Sequence, residues 1–309
     1  MEILKAVLPV IVTLIAGMIF RKKKIISPDG IEGLQSLVVN LTLPATLFGS
    51  FYKTSVTADR IVFPLTMFLA VSLGVLCGKL ISRLFGRKDR YLPFMLSGYE
   101  AGMLGFALMA ILVGSSNITT FAMLDIGQDL AICTVYITML KAVNGERQTA
   151  GTALKGALGN PGLVAILAGA VLGFSGIGEK IASSPAGPVV DRLFDFIAAP
   201  TAVAILIVIG FRMNFRGLAW SRVLKACAVR IVEQGIFAAV ILAVYRLLGG
   251  VFSELLTVQS VLLMMILPPP FILPLYIDGE DDRSFYSSAL SVYTVFTVVC
   301  FTVLVAVTL

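Results

Sequence analysis

The chain has 309 residues, of which 58 % are hydrophobic and only 14 % charged. Soluble domains carry roughly 25 % charged residues, so too little polar surface exists here to cover a globule in water. The net charge of +6 sits in short basic clusters between apolar runs, which reads as a topology signal and not as a nucleic-acid footprint. The sequence has no histidine, and its four cysteines (Cys77, Cys133, Cys227 and Cys300) lie inside apolar segments without metal-type spacing, which excludes zinc enzymes and His-based triads.

A membrane-spanning helix needs about 20 mainly apolar residues. Segments of that kind are predicted at 3–20, 31–51, 62–82, 93–113, 119–141, 158–176, 189–211, 222–247, 256–276 and 285–309. The first precedes Arg21-Lys22-Lys23-Lys24, the reverse of the order in a signal peptide, and reads as a retained helix. In the second, Pro44 frees the carbonyl at i−4, which belongs to Asn40, so that Asn40 and Pro44 line a path or make an interhelical bond.

Segment four reads Gly98-Tyr99-Glu100-Ala101-Gly102-Met103-Leu104-Gly105. Three glycines in this short stretch weaken the helix and allow close backbone approach. Glu100 lies inside that weak stretch. An ionisable group at membrane depth costs about 2.5–3.5 kcal/mol on insertion scales and marks a functional site by default. Its bland alternative is a neutral acid bonded to a free carbonyl. In segment five Asp125, Gln128 and Asp129 share one helix face, either as coupling groups or as a solvated helix end.

Asn160-Pro161 opens segment six, a normal place for proline. Segment seven carries Ala199-Pro200-Thr201-Ala202, echoing Pro44-Ala45-Thr46 of segment two. Segment eight holds Arg230 and Glu233 at i,i+3, expected to neutralise each other, with Arg230 as counter-ion for Asp129 or an anionic substrate as the functional alternative. Segment nine reads Leu267-Pro268-Pro269-Pro270-Phe271-Ile272-Leu273-Pro274. Three consecutive prolines remove three amide donors, which forbids a continuous helix. Trp220 and Tyr91 at helix ends read as interface anchors.

Lysine and arginine bias sets orientation. One side holds Arg21 to Lys24, Arg83, Arg87, Lys88, Arg90, Lys141, Arg147, Lys155, Arg212, Arg216, Arg222, Lys225 and Arg283; the other holds Lys5, Lys53, Arg60, Lys180, Arg192 and Arg246. That is about sixteen against six, placing both termini outside a cytoplasmic membrane. The expected domains are a first five-helix repeat (1–141), a cytoplasmic connection (142–157) and a second five-helix repeat (158–309). An odd number per half is the condition for inverted repeats, and segments four and nine are then the matched interruptions that mark a transporter's binding site.

At Val38-Val39-Asn40-Leu41-Thr42-Leu43-Pro44, Gly98 to Gly105, Asn160-Pro161 and Pro269-Pro270-Phe271-Ile272-Leu273-Pro274-Leu275-Tyr276, the chain resembles the auxin efflux carrier family. The resemblance runs in order along essentially the whole chain. It implies an all-α integral membrane protein of ten helices in two inverted repeats, similar to bile-acid sodium symporters. Helices four and nine would break and cross at the substrate site. It further implies a scaffold of helices 1, 2, 6 and 7, a transport domain of helices 3–5 and 8–10, elevator movement, and a small organic carboxylate as substrate. Two positions depart from the family pattern. Glu100 stands where an Asn is usual in Asn-x-Gly, and Ala107 where a proline commonly follows. A carboxylate there repels an anion unless protonated, favouring proton coupling or a neutral or cationic solute.

The sequence is therefore expected to encode a secondary transporter of a small organic solute in the lipid bilayer, without cofactor or nucleic acid. Proton or sodium coupling and a homodimer are both open. The expected site comprises Asn40, Pro44, Gly98, Glu100, Gly102, Gly105, Asp125, Asp129, Pro268, Pro269, Pro270 and Pro274. No P-loop occurs. The rival classes are a channel, which calls for a repeated pore-lining pattern, and a membrane-embedded enzyme restricted to carboxylate chemistry.

Overall fold

A computed structural model describes residues 2–53, 58–84, 89–146, 149–215 and 220–308. Arg87, Lys88, Arg147 and Arg216, counted above toward orientation, lie outside the described residues. Among the described residues every regular element is helical and there is no strand. Among the described residues eight helical stretches are long and apolar enough to cross a bilayer: Leu4–Lys22, Pro28–Phe51, Val62–Arg83, Leu92–Val113, Thr119–Val143, Gly187–Arg212, Trp220–Leu248 and Glu280–Thr308. They coincide with eight of the ten predicted segments, and the protein is an integral membrane protein.

The other two segments are shorter. Segment six is a helix over Pro161–Phe174, opened by Asn160, whose side chain accepts from the Gly162 and Leu163 amides, and stopped by left-handed Gly176. Segment nine is α-helical only over Leu255–Ile266, because Leu267 precedes Pro268, and a single 3-10 turn follows at Leu273–Tyr276.

The chain divides into two compact units. The first comprises Met1–Val62, Gly102–Met123 and Leu158–Arg212. It contains α1 (Glu2–Lys22), α2 (Pro28–Leu37) and α3 (Leu43–Phe51). Within the second unit's sequence follow α4 (Val62–Leu84) and α5 (Leu92–Leu96), and the first unit resumes with α6 (Phe106–Val113). Then come α7 (Thr119–Ala131), α8 (Ile137–Val143) and α9 (Ala150–Leu158). The first unit is completed by α10 (Pro161–Phe174), α11 (Ile177–Ala182), α12 (Gly187–Ala198) and α13 (Thr201–Arg212). The remaining helices, α14 (Trp220–Leu248), α15 (Leu255–Ile266) and α16 (Glu280–Thr308), belong to the second unit with Phe63–Ala101 and Leu124–Ala157.

In the first unit α1 and α13 touch backbone to backbone. A Cβ on Gly17 would strike the Ile207 carbonyl, and one on Gly210 would strike the Leu14 carbonyl. Small residues at both faces let dispersion replace the hydrophobic driving force that lipid does not supply. Beside them Ile31, Val208 and Phe211 form a core with Phe20, Leu34 and Met103 packed on it. The two proline-marked segments meet here: Thr46 Oγ1 lies 3.3 Å from Thr201 Oγ1. At one end of α3, Tyr52 donates to Asp191 at 2.6 Å and Lys53 pairs with the same carboxylate at 2.9 Å. Burial, reinforced by that carboxylate, pushes the Tyr52 phenol up to about 12.

In the second unit α4 turns Leu65, Leu69, Leu73, Leu76 and Leu80 outward as one exposed stripe. That pattern is inverted for water and ordinary for lipid. The ends of several helices are tied by Asp89, which accepts from Arg222 at 2.8 Å and from Tyr286 at 2.6 Å. Tyr91, expected as an interface anchor, is instead buried, and it donates to Asn144 at 2.9 Å. Trp220 is exposed, as an anchor should be.

Candidate functional site

The second unit holds both interruptions. The helix α5 stops at Leu96 because Ser97 turns to extended backbone and Gly98 adopts φ +70°. That left-handed conformation suits glycine, and a Cβ at Gly98 would also press on Ile132 and Pro270. Free backbone groups at membrane depth need internal partners. Ser97 fastens its side chain to the Val71 carbonyl at 2.7 Å. Gln128 takes both main-chain groups of Tyr99, accepting from its N–H and donating to its C=O, each at 2.7 Å. The Tyr99 hydroxyl donates to Gln234 at 2.6 Å, and Gln234 donates to the Leu96 carbonyl at 3.0 Å.

The interruption after α15 has the opposite problem. Pro268, Pro269 and Pro270 have no N–H, so the first amide available after them is that of Phe271. It donates to the Glu100 carboxylate at 2.6 Å, while the Glu100 amide donates to the Pro268 carbonyl at 2.8 Å. The two breaks thus meet through one reciprocal pair of bonds. Glu100 is half-buried; the three prolines beside it are fully buried.

Arg230, from α14, is fully buried and sends its guanidinium to the main chain of both breaks. It donates to the carbonyls of Met95 (3.1 Å), Gly98 (2.7 Å) and Leu267 (3.1 Å). The expected Arg230–Glu233 ion pair is a correction: Arg230 spends its hydrogen bonds on carbonyls, and neither oxygen of buried Glu233 has a hydrogen-bond partner among the described residues. The carbonyls that end two helices thus take the place of a carboxylate on its own helix.

Gly98, Glu100, Pro268 and Pro270 therefore come together, with Pro269 between them in the chain. Asp125 joins through Gln128, whose amide also donates to it at 3.3 Å, and Asp125 is buried, so it is not a solvated helix end. Asp129 is half-buried, one turn further along the same helix. Pro274 lies in the short turn Leu273–Tyr276 that follows. Gly102 and Gly105 fall in the wide helical turn Ala101–Gly105 and belong to the first unit, as do Asn40 and Pro44. Asn40 is exposed and bonds back to Ser36 at 2.9 Å, within its own helix. The wide turn Val38–Thr42 takes up the bond that Pro44 cannot make.

Tyr99, Gln234 and the carbonyl role of Arg230 were not expected from sequence. The available signal was the i,i+4 spacing of Arg230 and Gln234, two polar side chains stacked on one face of an apolar helix.

Residues 2–151 match the family described as membrane transport protein (Mem_trans). The match covers just under half of the chain, and over that stretch the chain is similar to this family of membrane transporters. No curated protein matches it. Together with the eight apolar spans, the match indicates a multi-pass membrane transporter sitting in a lipid bilayer.

Proposed function

We propose that the protein is a secondary active transporter of a small organic solute, with a carboxylate as first candidate, coupled to protons through Glu100. The observation that carries this is the hold of Glu100 on the Phe271 amide. The ionised side chain occupies the N–H that a substrate carboxylate would seek. Protonation removes its negative charge and weakens that hold. The amide is then free to receive an anionic solute, and release of the solute returns the amide to Glu100. Binding of a proton to Glu100 thus favours binding of a solute at the amide, and this linkage is what coupling requires.

In this reading the ten segments form two inverted five-helix repeats, with segments four and nine crossing and both termini outside the cytoplasmic membrane. The membership of the compact units supports an elevator division: segments 1, 2, 6 and 7 fall in one, and segments 3, 8, 9 and 10 with most of 5 in the other. Residues 102–123 depart from the scheme, falling with the first group. Asp125 and Asp129 are secondary coupling candidates.

The test is solute counter-flow in proteoliposomes under an imposed pH gradient. Saturable counter-flow driven by the gradient in the native protein, and uncoupled from it in Glu100→Gln, is expected. Unsaturable flux would make the protein a channel, and unchanged pH dependence in the variant would remove Glu100 from the mechanism.

A further inference from the structure

We propose that Arg230 is a built-in cation, holding the place that a coupling metal ion takes at broken helices, so that this protein works without sodium. The inference rests on reading the two breaks as the transport site. Where transmembrane helices are interrupted, their C-terminal ends and unwound carbonyls attract cations, and coupling sodium binds there in many carriers. Here that electrostatic demand is met by a covalently attached guanidinium.

The distribution of carbonyls carries the case. In the first break Met95 and Gly98 accept from Arg230, Leu96 from Gln234, and Tyr99 from Gln128. In the second, Leu267 accepts from Arg230, Ile266 from Thr297 at 2.6 Å, and Pro268 from the Glu100 amide. Each of these oxygens already has a protein donor. A sodium ion would have to displace a positive charge that cannot diffuse away.

The guanidinium is also enclosed. It lies over the Tyr99 ring at 5.5 Å and the Tyr293 ring at 5.2 Å, with no exposed surface. Aromatic faces and carbonyls together replace the hydration it gave up. Glu233 lies one turn along α14, buried, with neither oxygen hydrogen-bonded among the described residues. Truncating Arg230 would leave three carbonyls facing a vacated space, oxygen ligands suited to a hard cation, with buried Glu233 one turn away.

The experiment compares thermal unfolding of the purified native protein, Arg230→Ala, Arg230→Lys and the double variant Arg230→Ala/Glu233→Gln in sodium, choline and low-millimolar guanidinium chloride. The native midpoint is expected to be the same in sodium and choline. Arg230→Ala should unfold several degrees lower in choline and recover with guanidinium or sodium. Arg230→Lys should retain most of the native midpoint, and the double variant should lose the sodium recovery. A saturable sodium-dependent rise in the native midpoint overturns the proposal, as does an Arg230→Ala protein that no small cation restores. Should Arg230→Ala not fold, the native comparison and Arg230→Lys still decide: a lysine variant that needs sodium to reach the native midpoint also overturns it. Absence of solute counter-flow under every condition would defeat the transporter reading and leave these unfolding results standing.

Discussion

Two regions of this protein carry proline inside membrane segments, and they respond differently. In the first unit Pro44 follows a single wide turn, and Pro200 separates α12 from α13 by two residues; the helices carry on, joined by the Thr46–Thr201 contact. In the second unit the run Pro268 to Pro270 ends α15 outright, and Gly98 ends α5. One missing N–H can be absorbed by local widening of a helix. Three in succession cannot, and the carbonyls and amides released there must be satisfied by side chains from other helices. A kink needs only its own helix, whereas a full break recruits Gln128, Arg230, Gln234, Thr297 and Glu100.

The contrast can be broken by substitution. Gly98→Val should have the largest effect: a β-branched residue at φ +70°, pressed against Pro270, is expected to prevent a monodisperse folded protein in size-exclusion chromatography. Gln128→Leu leaves the buried N–H and C=O of Tyr99 unpaired, at about 1–3 kcal/mol for each group, and should lower the unfolding midpoint sharply. Glu100→Gln is milder, because an amide oxygen still accepts from Phe271; stability should change by less than about 1 kcal/mol while pH-driven counter-flow is lost. Pro44→Ala should be the smallest, within about 0.5 kcal/mol and with near-native counter-flow, since its helix already accommodates the missing bond. If Pro44→Ala proved as damaging as Gln128→Leu, the distinction between kink and break would fail.

The positions of both breaks were legible in sequence because glycine and proline act on their own backbone. So were eight long helices, since length and apolarity are local properties. Segment six opens at Asn160-Pro161 as read from the sequence, but it ends early because hydropathy does not see that left-handed Gly176 turns the chain after Phe174. The partners within the site were hidden for a different reason. Phe271 and Glu100 are 171 positions apart, and Arg230 and Gly98 are 132 apart. Pairing over such separations is decided by packing, and Arg230 beside Glu233 looked like a self-sufficient pair until the carbonyls were in view. Asn40 shows the reverse: adjacent to a proline, it suggested a path, yet its amide is content with Ser36.

The double bond pattern between Gln128 and Tyr99 has a mechanical consequence. A carboxamide that takes the N–H and the C=O of one residue copies the smallest unit of sheet pairing, a ladder one rung long. It ties the two peptide planes on either side of Tyr99 to α7 and denies them independent rotation. The interruption therefore acts as a joint welded to its neighbour and not as slack in the chain. Reporter groups on α7 and on residue 99 should register one displacement whenever the protein changes conformation.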